Sequence, residues 1–234
     1  MRALILAGGY GSRLGELTKS IPKILIEVGG VPIIDRTIGK LIDIGITEIT
    51  INTHYMDEMV TKYLTSRFPD LNLRIVFEPN LLGTAGTLKA NIDWLAVDDF
   101  IVMHADNFFT DNLSELTAGE LKPGNLLRAC TFITNNPENY GVFVVTEENS
   151  VIGFDEKKKA ARSNLANAAI YRFSKNVLGL VSKLSEEVRD ISVDFLPVII
   201  EKTELVMLQN VFFDIGTHEE LHKANLAAKT IGNS

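Results

Sequence analysis

The chain has 234 residues, 46% hydrophobic and 23% charged, with a formal net charge of −7. That length can bury a sizeable core, and the acidic balance excludes the broad basic surface of a non-specific nucleic-acid binder without excluding nucleotides, which need only a few local cations. The single Cys130 lies in an apolar run and cannot close an intramolecular disulfide, so it reads as a small core residue. The N-terminal apolar run is too short for a signal peptide and no run approaches a membrane span, so a cytoplasmic protein without membrane or nucleic-acid partners is expected.

In chain order, Ala3 to Ala7 reads as a buried strand that breaks into Gly8, Gly9 and Gly11. A helix is predicted over 32–44, opened by Pro32 and closed by Gly45. Strand over 48–52, helix over 55–68, strand over 73–77, helix over 84–95 and strand over 100–104 follow. This alternation predicts an α/β fold, Rossmann-like and doubly wound, with a mostly parallel sheet. Ligands bind such sheets at the carboxyl ends of strands. The loops at Gly8, Asn52, Glu78 and His104 are therefore expected to crowd one edge. Beyond Asp111, strands over 126–133, 141–146, 151–154 and 167–173 predict a mixed β extension. Helices over 174–184 and 192–200, short strands over 205–208 and 211–213, and a closing helix over 217–229 complete the chain.

The glycine loop with Arg13 and Lys23 suits a polyphosphate, because glycines bring backbone N–H groups close to a ligand and the cations add charge. It is not a P-loop, since the G-x-x-x-x-G-K-[ST] spacing is absent. It is not a dinucleotide fingerprint either: Gly9 and Gly11 fit, but Leu14 follows where glycine is required and Gly15 comes one residue late. A plain strand-to-helix turn with a solvated Arg13 is the bland alternative. Asp106 stands at the end of an apolar strand, where a carboxylate is poorly explained by packing; Mg²⁺ beside a phosphate is one explanation and a turn cap the other, and Asp214 stands at another strand end.

Leu6-Ala-Gly-Gly-Tyr-Gly-Ser-Arg-Leu14 followed by Pro22-Lys23 resembles the signature of the sugar-1-phosphate nucleotidyltransferases. Further matches arrive in that family's order: Gly83-Thr84-Ala85-Gly86, Asp106-Asn107, Phe154-Asp-Glu156-Lys157, Asn164-Leu-Ala-Asn167-Ala-Ala-Ile-Tyr171, and Phe213-Asp214-Ile-Gly216-Thr217. The resemblance implies one domain over 1–234, with a nucleotide-binding half over about 1–125 and a sugar-binding half over about 126–234. It implies that Leu6, Ala7, Gly8, Gly9, Gly11 and Ser12 cradle the nucleotide with Arg13 and Lys23. Glu78, Gly83, Thr84 and Ala85 would face its base and ribose, although Thr84 is also a candidate helix cap. Glu78, a pure acceptor, favours guanine. Asp106 and Asp214 would hold Mg²⁺. Asn107, Gly141, Glu156 and Asn167 would meet the sugar, with small Ala168 and Ala169 leaving room for its ring. Asp194 would either join them or serve only as a helix charge. Lys157 would take the sugar phosphate, with Lys158 as a rival because three lysines run together. Arg13, Lys23, Asp106 and Lys157 would carry catalysis.

The resemblance is strongest to short mannose- or heptose-1-phosphate guanylyltransferases, so GTP and that type of sugar 1-phosphate are the expected partners, with a homodimer as the assembly. Uridylyl or thymidylyl transfer to another hexose or aminosugar phosphate is the alternative. From a different class, a non-catalytic nucleotide-sugar sensor would be expected to lose Arg13, Lys23 or an aspartate, and all are present. One motif points elsewhere: His218-Glu-Glu-Leu-His222 matches the H-E-x-x-H of zinc hydrolases, but no Asp, Glu, His or Cys follows to supply a third ligand.

Overall fold

The computed structural model describes residues 1–231. They form two compact units whose segments interleave along the chain. The loop-bearing unit comprises Ala3–Leu81, His104–Leu113 and the segment from Asn210 onward; the strand-rich unit comprises Met1–Arg2, Leu82–Met103 and Ser114–Gln209. The division crosses the boundary expected near residue 125: Leu82–Met103 belongs with later sequence, and the closing helix belongs with the N-terminal strands.

In the loop-bearing unit the strands beginning at Arg2–Leu6, Glu48–Thr53 and Asn72–Phe77 pair in parallel. Helices Ile33–Asp43 and Asp57–Arg67 connect them. Ile33–Asp43 buries Ile33, Ile34, Thr37, Ile38 and Leu41, the apolar stripe of an amphipathic helix. The register sets Leu6 beside Asn52 and Thr53 beside Phe77, so the ends at Ala7, Asn52 and Glu78 lie on one edge as the alternation predicts. A short antiparallel ribbon, Asn107–Phe109 with Phe212–Asp214, is absent from the sequence reading on its first side. The closing helix spans His218–Ile231.

The strand-rich unit is mixed. Its axis is the strand Leu165–Phe173, antiparallel to Leu127–Ile133, to Phe100–Met103 and, at its start, to Gly141–Val145. Val151–Glu156 continues antiparallel, and Thr203–Met207 runs parallel to Leu127–Ile133. Phe100, Phe143, Tyr171, Phe173 and Phe195 fill its core, and Cys130 is buried among the strands. Two expected helices are broken and a third is irregular. The helix over 84–95 splits at Asn91, whose side chain donates to the Thr87 carbonyl and competes with the backbone ladder. The region 174–184 holds short turns over Lys175–Val177 and Leu178–Val181, and the helix expected over 192–200 is present as a continuous but irregular run: a π-turn over Ile191–Phe195 capped by Asp190, an α-turn over Leu196–Ile199 and a 3₁₀ turn over Ile200–Lys202. No described helix is long and apolar enough to cross a membrane.

Candidate active site

In the loop-bearing unit, the chain leaves its first strand directly into the glycine loop. The Ala7 N–H donates to Asn52 Oδ1 at 2.7 Å, and the Leu6 carbonyl accepts from the Ala105 N–H at 3.0 Å. Gly8 is buried against Asn52, while Gly9, Ser12 and Arg13 are exposed. Gly11 has φ +67, and a Cβ there would lie 3.0 Å from Lys23 Cβ, so the loop turns directly against Lys23. The Thr18 hydroxyl donates to the Gly11 carbonyl and holds that turn. Arg13 lies across Gly216, where its Nη2 would be 2.6 Å from an added Cβ.

Lys23 is 7% exposed, unusually low for a lysine. Its ammonium hydrogen-bonds Asp106 Oδ2 and lies 3.7 Å from Asp214 Oδ1. The two aspartates meet because the ribbon pairs Asp214 with Asn107 and the Ile215 N–H donates to the Asp106 carbonyl. Burial pushes the Asp106 carboxyl up, but Lys23 and His104 outweigh it and hold it below its ordinary value. Asp214 is raised, first by burial and then by the Asp106 charge. Its Oδ1 is buried without a hydrogen-bond partner among the described residues. Two carboxylates, one under-satisfied, fit a divalent cation that also takes phosphate oxygens.

Two residues expected to meet ligand are buried. Glu78 is 4% exposed and its Oε1 accepts from Asn52 Nδ2 at 3.1 Å, a bond that ties two strand ends together. Asn107 lies in the ribbon at 5% exposure.

In the strand-rich unit, Asn167 Nδ2 donates to the Tyr171 hydroxyl at 2.6 Å and to Ser192 Oγ at 3.4 Å. Burial pushes the Tyr171 phenol up to about 12, so it stays neutral at physiological pH. Ala169 has φ +51 within an irregularity of strand pairing, and its N–H donates to Asn167 Oδ1; a bulge that re-aims Asn167 explains the small residues as well as ring clearance does. Gly141 pairs with Glu156, and a Cβ on it would lie 2.4 Å from Glu156 Oε2. The Glu156 carboxyl is raised by burial, with Lys157 opposing and Asp190 adding. Lys157 lies 3.6 Å from Glu156 Oε1, whereas Lys158 is bound to Asp155 at 2.7 Å.

Gly83, Thr84 and Ala85 clamp a neighbouring loop. A Cβ on Gly83, φ +79, would lie 2.3 Å from the Arg189 carbonyl oxygen, and the Ala85 N–H donates to that oxygen at 3.0 Å. Thr84 Oγ1 accepts from the Ile191 N–H at 2.7 Å and does not cap its own helix. Asp194 accepts the N–H groups of Arg189 and Asp190, both at 2.8 Å, and so staples the same loop.

A family model described as nucleotidyl transferase matches residues 2–230. The chain belongs to that family. A mannose-1-phosphate guanyltransferase of Saccharomyces cerevisiae is 31% identical over 92% of this chain and 61% of its own. The bifunctional protein GlmU of Methanococcus aeolicus is 30% identical over 96% and 54%. This chain therefore spans a little over half of the curated relatives it matches. A Bacillus anthracis structure, provisionally named a glucose-1-phosphate thymidylyltransferase and solved with sucrose, superposes with a TM-score of 0.87 at 26% identity, covering 98% of this chain and 95% of that one. The α/β fold of this nucleotidyl transferase chain is the one shared with that structure.

Sequence reasoning placed Asn52 only as a loop position and gave no role to Asp190 or Ser192. Asp190 had a legible signal, since Asp before Ile-Ser-Val opens a turn and its carboxylate caps Ser192 and Val193. Asn52 had none, because its role depends on strand register. Within the H-E-x-x-H stretch, Glu219 and Glu220 both pair with Lys223, and no metal-binding cluster of three ligands occurs among the described residues.

Proposed function

We propose that this chain transfers a nucleoside monophosphate from an NTP to a sugar 1-phosphate, giving an NDP-sugar and pyrophosphate. The observation that carries the reading is the cluster of buried Lys23 with the partly exposed carboxylates of Asp106 and Asp214, lying against the glycine loop. A sugar phosphate oxygen attacks the α-phosphorus in line; its new P–O bond forms as the α–β bridging bond breaks. The nucleophile is already an anion, so no general base is needed, and the barrier lies in bringing two polyanions together. Arg13 and the Gly8–Gly11 backbone take the β- and γ-phosphates and stabilise the departing pyrophosphate. Lys23 neutralises the α-phosphate. Lys157 steers the sugar phosphate, and Glu156 and Asn167 accept from or donate to sugar hydroxyls. Asp106 and Asp214 would hold Mg²⁺, which when bound supplies positive charge against the phosphate oxygens.

GTP and a mannose- or heptose-type sugar 1-phosphate are the favoured pair, supported by the names of the relatives. The cytoplasmic setting and the homodimer belong to the same proposal. The test is pyrophosphate release across a grid of nucleoside triphosphates and sugar 1-phosphates in Mg²⁺. The expected outcome is highest kcat/KM with GTP. Preference for UTP or dTTP would replace the guanylyl reading with its uridylyl or thymidylyl alternative, and silence from every pair would favour a nucleotide-sugar sensor.

A further inference from the structure

The strand Val151–Glu156 delivers Glu156 and then Lys157, whose backbone is left-handed at φ 48. Such a conformation is uncommon for a residue other than glycine and persists where the surroundings over-determine it. No proline occurs from Lys157 to Arg162, so no ring restrains the turn's backbone. One side chain supplies the constraint. The Asp155 carboxylate, 1% exposed, accepts Arg162 Nε at 2.8 Å and Nη2 at 2.9 Å, the Arg162 N–H at 3.2 Å and Lys158 Nζ at 2.7 Å. The guanidinium lies over Gly153, where a Cβ would be 3.0 Å from Nη2, so the strand leaves room for it. At the turn's start the Lys157 N–H donates to the Tyr140 carbonyl at 3.1 Å.

We propose that Asp155, through Arg162, is a positioning residue that fixes the 157–162 turn so that Lys157 faces the incoming sugar phosphate. This inference rests on the nucleotidyl-transfer reading above. The clamp also divides the lysine run: Lys158 is bound by Asp155, while the Lys157 side chain stays 64% exposed beside Glu156. A positioned bidentate pair fixes geometry in a way a single ammonium does not, so Arg162 carries more of the constraint than Lys158.

The test uses Arg162→Ala, Arg162→Lys and Lys158→Ala; both side chains are more than half exposed and their loss leaves no cavity. Amide hydrogen exchange over 157–161 and separate KM values for NTP and sugar 1-phosphate are measured. For Arg162→Ala the expected result is faster exchange and a sugar 1-phosphate KM raised about tenfold, with NTP KM within about twofold of wild type. Arg162→Lys should recover part of the loss, and Lys158→Ala should cost less than Arg162→Ala. Unchanged exchange in Arg162→Ala would overturn the clamp. Faster exchange with both KM values rising together would overturn its role toward the sugar phosphate. A wild-type protein silent across the substrate grid would sink the transfer reading and that role with it, while the exchange result would still report on the clamp.

Discussion

Lys23, Asp106 and Asp214 in the loop-bearing unit and Asn167, Tyr171 and Ser192 in the strand-rich unit show two ways of building a polar centre. The first is a set of ionised groups from three distant stretches, placed where burial raises Asp214 and Lys23 holds Asp106 down. The second is a chain of neutral hydrogen bonds around a strand irregularity, with a phenol pushed up to about 12. A neutral network loses one bond when a member is removed, about 0.5–1.5 kcal/mol. A charged cluster that loses one member leaves its partners' charges uncompensated, an effect that solvent screens in part here because both aspartates are partly exposed. The first suits stabilising a charged transition state, and the second suits choosing among hydroxyl patterns.

The largest expected effect is that of Asp106→Asn. Pyrophosphate release should fall about a hundredfold or more while the circular dichroism spectrum stays that of the wild type. Wild-type turnover in this variant would erase the distinction between the two centres. Next is Gly83→Ala, which forces a Cβ to 2.3 Å from the Arg189 carbonyl at a left-handed backbone. It should destabilise the strand-rich unit by about 1–3 kcal/mol, read from urea midpoints, because both the space and the φ value resist it. Asn167→Ala should cost about tenfold or less in kcat/KM and raise sugar 1-phosphate KM more than NTP KM. A loss as deep as that of Asp106→Asn would show that Asn167 belongs with the charged machinery.

The smallest effect concerns acid stability. Hydrogen bonds from Arg162 and then Lys158 hold the Asp155 carboxyl well below its ordinary value. A depressed carboxyl contributes stability above the unfolded value near about 4, and that contribution is lost as pH falls through the lower folded value. Urea midpoints of the wild type should therefore drop between neutral pH and about pH 3 more steeply than those of Asp155→Asn. Parallel curves would remove Asp155 from the acid response.

The parallel strands of the loop-bearing unit were legible from apolar runs punctuated by Gly and Pro, because burial on both faces leaves that signature. So was the glycine loop, whose spacing survives without any tertiary information. The Asn107–Phe109 strand was not, because it is short and gains meaning only from Phe212–Asp214. Glu78 and Asn107 have the composition of ligand contacts, yet strand ends and ribbon pairing bury both. Gly83-Thr84-Ala85 reads from sequence as a ligand-facing motif, and only the structure shows its hydrogen bonds to Arg189 and Ile191.

By itself, the sequence determined the family-wide order of motifs, the α/β alternation and the identity of the charged groups, all of which are local or periodic properties. Tertiary structure alone decided which carboxylates meet Lys23, that Lys158 is bound while Lys157 is exposed, and that Asp194 staples a loop. Those outcomes depend on register and burial. A carboxylate's chemistry changes with every charge and dipole within a few ångströms, and those neighbours come from residues far away in the chain.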